Sequence, residues 1–359
     1  MALSRRTTGI LGCVVAALLI ANVAAEGNAA RRILADGMVA PAPAPAITSA
    51  SGMAAIVDTA HQTGIASADG MASVAATVTK AMAGSVKGPI ILMHGAIQGG
   101  EVWEFPRLPE APGGVKGLLE AAGYTVYNPT LPYHFPNDTW NINDGLVTIQ
   151  QYVDVYKGVI NSNDLHNVYL VGHSLAGVWM QQLLQQIGDR LGGLVFVDAV
   201  ALETGESFFT NGVAGIVPEY SDPPNSAFFT LIYSYPMFYQ ELSNEVFRDL
   251  FINTRKNDAA FVEETYKLLV PEPHGPELQK VNATTFYTIP MPKAFINMNH
   301  DITLLDYRTW LLFSDRVSRS NNAGVPYNVY TIYGDHESML TQQANLATAI
   351  LEAVAGLQG

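Results

Sequence analysis

Cysteine is almost missing from this chain: Cys13 is the one thiol in 359 residues. With no partner it forms no intramolecular disulfide, so disulfide frameworks, four-cysteine zinc sites and thiol redox pairs are excluded. Clustered lysine and arginine are missing too, with 19 basic residues against 32 acidic ones and a formal charge of −13. A surface that neutralises phosphates needs a basic cluster, which excludes a nucleic-acid partner. Aromatic residues are absent before Trp103, and all 34 lie after Lys87. Aromatic side chains bring the largest apolar areas to a core. The working domain is therefore expected at residues 88–359, long enough for one well-buried core.

What stands in front of it has its own pattern. Arg5 and Arg6 precede an apolar run from Ile10 to about Ala25, broken by Gly12 and Asn22 and ending in the small residues Val23-Ala24-Ala25. A basic start, a short apolar stretch and a small-residue exit read as a secretory signal over residues 1–25. The run is short for a hydrocarbon core of ~30 Å, so the expectation is a secreted or periplasmic protein with no stable membrane span after cleavage. Removal of Arg5 and Arg6 would take the charge from −13 to −15. Residues 26–87 are rich in Ala, Gly, Ser and Thr, with Pro41, Pro43 and Pro45 alternating with alanine. That composition predicts a linker of low order.

After residue 88 short apolar runs alternate with helical patterns. Strands are expected at Pro89–Met93, Tyr124–Tyr127, Asn167–Val171, Leu194–Val197, Ala294–Met298 and Asn328–Ile332. Helices are expected at Val115–Ala122, Val147–Ile160, Ala176–Ile187, Asp306–Val317 and Thr341–Leu357. Such alternation implies an α/β fold with a mostly parallel central sheet, right-handed crossovers and flanking helices. Residues 202–290 interrupt it and read as a mostly helical cap inserted after one strand; they hold 15 of the 34 aromatics.

The most informative stretch is Val171-Gly172-His173-Ser174-Leu175-Ala176-Gly177, between a strand and a helix. A strand turning sharply into a helix lifts the serine hydroxyl above the sheet, and small residues must flank it. The usual pattern is G-x-S-x-G; here the fifth position is Ala176, with Gly177 behind it. A serine nucleophile needs a base and an orienting acid. Among eight histidines, His336 in Gly334-Asp335-His336-Glu337 follows the last strand and is favoured. His173 should point away from the hydroxyl, His94 belongs to the first turn and His300 crowds the candidate acid. His61 lies in the linker, and His134, His166 and His274 lack a strand-end context. For the acid, Asp301 is favoured, with Asp198 as competitor and Asp306 read as part of the following helix. Leu175 and Ala96 are the expected backbone donors of an oxyanion hole.

Ile90–Trp103, Val168–Gly177, Leu194–Val200, Leu269–Asp301 and Gly334–Leu340 together resemble the α/β-hydrolase superfamily. Within it they resemble the branch of plant-type methylesterases and hydroxynitrile lyases with their bacterial relatives. The resemblance implies catalytic Ser174, Asp301 and His336, oxyanion donors at Ala96 and Leu175, and a helical cap. Two positions depart from the lyases, which carry Thr after the first-strand His and Lys after the catalytic His; here they are Gly95 and Glu337. A lysine would stabilise departing cyanide, and a glutamate opposes it. The expected activity is therefore hydrolysis of a small, apolar carboxylic ester through an acyl-enzyme, with no metal or cofactor required. A low-turnover ligand-binding protein and a C–C or cyanohydrin lyase of the same fold are the alternatives. Oligomeric state is not encoded in any recognisable pattern, and Asn137 and Asn282 fit glycosylation sequons whose use depends on the host.

Overall fold

The computed structural model describes residues 87–105, 111–135, 147–208, 239–240, 242–304, 307–321 and 325–358. The expected signal and nearly all of the linker lie outside these, as do Asn137, Asp306 and the cap residues 209–238.

Six strands form one parallel sheet: β1 (Ile90–Met93), β2 (Val126–Tyr127), β3 (Val168–Ser174), β4 (Leu191–Ala199), β7 (Lys293–Met298) and β8 (Tyr327–Ile332). Their order is β2-β1-β3-β4-β7-β8, and every pairing is parallel. The α/β class with its parallel sheet and flanking helices is thus as expected. A further pair, β5 (Tyr239–Gln240) and β6 (Glu272–Pro273), is antiparallel and belongs to the inserted segment. The insertion is therefore not simply helical. Two-residue strands, one of them ending in proline, carry no alternation for a sequence reading to detect.

Side chains alternate across the sheet, and the two faces feed two cores. Ile91, Met93, Leu170 and Phe196 pack against α2 (Ile149–Ser162), α3 (Ala176–Ile187) and α7 (Tyr307–Arg319), through Tyr152, Trp179 and Phe313. Ile90, Leu92, Val171 and Val197 pack on the other face against α1 (Gly114–Ala121) and α9 (Gln343–Leu357), through Val115, Leu119, Ile350 and Val354. Each fully buried large apolar side chain contributes about 1.5–3 kcal/mol, so β1 and β7, buried throughout, and β3 and β4, buried at every position but one each, form a stiff platform. The inserted segment also carries a short helical stretch over Asn244–Phe251 and the helices α4 (Ala259–Tyr266), α5 (His274–Leu278) and α6 (Thr284–Thr288); α8 (Ser338–Thr341) precedes α9.

Helix ends differ from expectation for local reasons. Helix α2 starts at Ile149, not Val147, because Thr148 and Gln151 form a capping box. The last helix, expected unbroken from Thr341, is split at Gln342, whose φ of −138° leaves the helical region. Among the described residues no helix is long and apolar enough to cross a membrane.

Candidate active site

The carboxyl ends of β3, β7 and β8 meet at one place. Ser174 closes β3 with φ of +55°, a left-handed conformation that a non-glycine residue adopts only where its surroundings impose it. The imposition is visible on both sides. The Ser174 carbonyl accepts from the Val200 N–H at 2.9 Å, and α3 begins immediately beyond, with Leu175 at its N-cap. The helix must pass β4 closely: a Cβ on Gly177 would lie 2.1 Å from the Val200 oxygen. The glycine this turn demands is thus Gly177, one residue later than the usual pattern puts it, and Ala176 fits fully buried.

His336 Nε2 lies 3.1 Å from Ser174 Oγ, and its Nδ1 lies 2.6 Å from Asp301 Oδ2. The hydroxyl donates to Nε2 and the Nδ1–H to the carboxylate, giving one row of three side chains. Burial, the largest influence on His336, pulls its pKa down. The charge and hydrogen bond of Asp301, together with the smaller pulls of Glu337 and Asp335, outweigh it, so the net shift is upward. The ring is boxed by His173 at 4.6 Å, Phe251 at 5.2 Å and Trp310 at 5.2 Å between centroids.

Asp301 is itself fixed, its Oδ1 accepting from the Thr303 N–H at 2.9 Å and the Thr303 hydroxyl at 2.5 Å. Asp335 anchors the His336 loop: it accepts from the Thr254 N–H at 3.0 Å, from the Thr254 hydroxyl, and from Thr341 Oγ1 at 2.6 Å. The sequence reading passed over both supports. The Asp301-x-Thr303 spacing is a local signal for a side chain that bonds the backbone two residues on, whereas the Thr254–Asp335 contact joins the insertion to a loop 81 positions away and leaves no local trace.

The other candidates fall elsewhere. Asp198 is fully buried and accepts from the Met298 N–H at 3.0 Å. Burial, then the charge of Asp301, pushes its pKa well above the usual carboxylate value, which disfavours a second charge beside Asp301. His300 pairs with Asn299 and lies against the exposed ring of Tyr333. His173 is buried, and burial followed by the His336 charge holds it neutral.

Before Ser174 runs the loop Gly95–Gly99, which follows β1. A Cβ on Gly95 would lie 2.9 Å from Ser174 Cβ and 3.2 Å from the His173 oxygen, so glycine is needed for the loop to lie against the serine. Of the expected donors, Leu175 stands at the start of α3, where N–H groups have no partner within the helix, and Ala96 follows Gly95 in the loop that lies against Ser174. Glu337 is fully buried beside His336. Burial raises its pKa to about 7, against the opposing pull of His336 and the Gln98 amide.

A sequence profile described as the alpha/beta hydrolase family matches residues 90–341. The chain belongs to that family. This hydrolase is 31% identical over 116 residues to a pyrethroid hydrolase from Sphingobium wenxiniae, a match that covers 32% of the chain. It spans only 37% of that relative's own length. An extracellular α/β-hydrolase from a Paenibacillus species, described as sharing structural and functional homology with tobacco salicylic acid binding protein 2, superposes with a TM-score of 0.60. It is 24% identical and covers 74% of this chain and 99% of its own. A methylesterase from Arabidopsis superposes with a TM-score of 0.52 at 19% identity, covering 74% and 99% respectively. At these identities the structural likeness speaks for the fold, and the resemblance to the methylesterase branch holds at that level.

Proposed function

We propose that this hydrolase cleaves a small, mostly apolar carboxylic ester through a serine nucleophile, with Ser174, His336 and Asp301 as the catalytic row. The observation that carries the reading is that row itself: 3.1 Å from Ser174 Oγ to His336 Nε2 and 2.6 Å from Nδ1 to Asp301 Oδ2, with the serine raised on a left-handed turn. Neutral His336 takes the hydroxyl proton as Oγ attacks the carbonyl carbon, and Asp301 stabilises the resulting imidazolium. The Ala96 and Leu175 N–H groups hold the oxyanion. As the tetrahedral intermediate collapses, the imidazolium gives its proton to the departing alkoxide. Water, deprotonated by the same imidazole, then releases the acid. Support for an ester comes from the names of the pyrethroid hydrolase and methylesterase relatives. An exported location is supported by the N-terminal pattern of Arg5, Arg6 and the apolar run.

A fluorophosphonate probe should label the wild-type protein and not Ser174→Ala, and p-nitrophenyl esters of short acids should be turned over. Labelling that survives Ser174→Ala sinks the assignment. Turnover of mandelonitrile without any ester hydrolysis would replace it with the lyase reading, which the buried carboxyl of Glu337 opposes.

A further inference from the structure

We propose that Glu272 is a positioning residue that holds the loop after β1 in the shape needed to aim the Ala96 N–H at the oxyanion. The inserted segment would thereby complete the site. This rests on the serine-hydrolase reading above, in which Ala96 is a donor.

Ile97 has φ of +59°, a conformation that a β-branched residue keeps only when its neighbours over-determine it. Both of its backbone polar groups are held by one stretch of the insertion. The Ile97 N–H donates to Glu272 Oε2 at 3.0 Å, and the Ile97 carbonyl accepts from the Val270 N–H at 2.9 Å. The preceding peptide is held from the other side, where His94 Nδ1–H donates to the Gly95 oxygen at 2.9 Å. In a trans peptide the N–H points opposite to the C=O, so the bond to Gly95 also sets the direction of the Ala96 N–H. The Leu131 N–H donates to His94 Nε2 at 3.0 Å, which leaves the ring proton on Nδ1. The peptides on both sides of Ala96 are thus fixed.

Glu272 is fully enclosed and held in turn. The Tyr152 hydroxyl donates to Oε1 at 3.3 Å, and His134 Nε2 lies 2.6 Å from Oε2. His134 Nδ1 lies 3.0 Å from the Pro132 carbonyl, which can only accept, so Nδ1 carries a proton and a second proton occupies the contact with Glu272. Glu272 therefore links three elements distant in sequence: the β1 loop, the loop before α2, and α2 itself. It reaches no reacting atom in this arrangement and acts through Ile97.

Glutamine at this position keeps the volume but cannot do the same work. Its oxygen could accept from Ile97, or its nitrogen could bond neutral His134, but one atom cannot do both where Oε2 stands. In the full chain, Glu272→Gln should fold and bind one fluorophosphonate per chain. It should hydrolyse p-nitrophenyl acetate with kcat lowered about 10- to 100-fold and KM within about threefold, less than the loss from deleting a donor outright. Inhibition by a trifluoromethyl ketone, whose serine adduct places an oxyanion in the same hole, should weaken in parallel. A merely structural defect would lower the labelled fraction instead. If Glu272→Gln does not fold, the test passes to His134→Phe and His134→Gln. The first should lower kcat about tenfold at constant KM, and the second, which retains a donor to Oε2, should restore it. Wild-type kcat in folded Glu272→Gln, or in both His134 variants, overturns the role of Glu272. Persistent labelling of Ser174→Ala overturns the reading beneath it, so the two failures are distinct.

Discussion

Beside His336, the proposed base, sits a carboxyl that has not settled its charge. Glu337 is buried, which raises its pKa to about 7, and its ionised form favours the imidazolium of its neighbour. A general base works only when neutral, so kcat/KM should rise with pH through the His336 pKa, and Glu337 should push that rise toward higher pH. Removing the charge with Glu337→Gln should move the rising limb down by roughly half a unit, measured as kcat/KM on p-nitrophenyl acetate from pH 5 to 9. An unmoved limb would show that the two groups do not communicate. How much could be seen beforehand differs between residues. Ser174 announces itself through its flanking small residues, and His336 through its place after the last strand. Glu272 and His134 left no mark, because their partners lie 175 and 138 positions away in the chain.

At the scale of elements, the junction of β3 with α3 and the middle of α2 make opposite demands on glycine. A Cβ on Gly177 would meet the Val200 oxygen at 2.1 Å, whereas one on the exposed Gly158 would meet nothing within 4 Å. Gly177→Ala should therefore cost about 2 kcal/mol or more through forced movement at the Ser174 turn. Gly158→Ala should stabilise by about 0.5–1 kcal/mol through helix propensity alone. Urea denaturation of the two variants measures both, and equal effects would contradict the packing at the junction. The central strands β1, β3, β4 and β7 were legible because they are almost wholly buried and nearly continuous apolar runs. Their helices were legible in type but not at their ends, where the Thr148–Gln151 box and the break at Gln342 decide. The β5–β6 pair was illegible because Tyr239–Gln240 and Glu272–Pro273 meet only through the tertiary fold.

For the whole molecule, the distribution of aromatics leads us to expect that residues 88–359 fold and act without what precedes them. That truncation should unfold cooperatively and keep kcat on p-nitrophenyl acetate within about twofold of the full chain; an unfolded or inactive product would refute it. The ring of buried acids around the His336 loop has a consequence for folding heat. Burial sets Asp198 well above the carboxylate range and Asp335 and Glu337 at about 6 and about 7. In the unfolded chain all three titrate near 4. Around pH 6 these three carboxyls therefore hold more protons in the folded state than in the unfolded one. The stability these groups give is present at low pH and drains away as pH rises from their unfolded values through the folded ones. Refolding heats at pH 6 compared between phosphate and imidazole buffers give the number of protons taken up, and that number should fall in Glu337→Gln by the share of this one carboxyl.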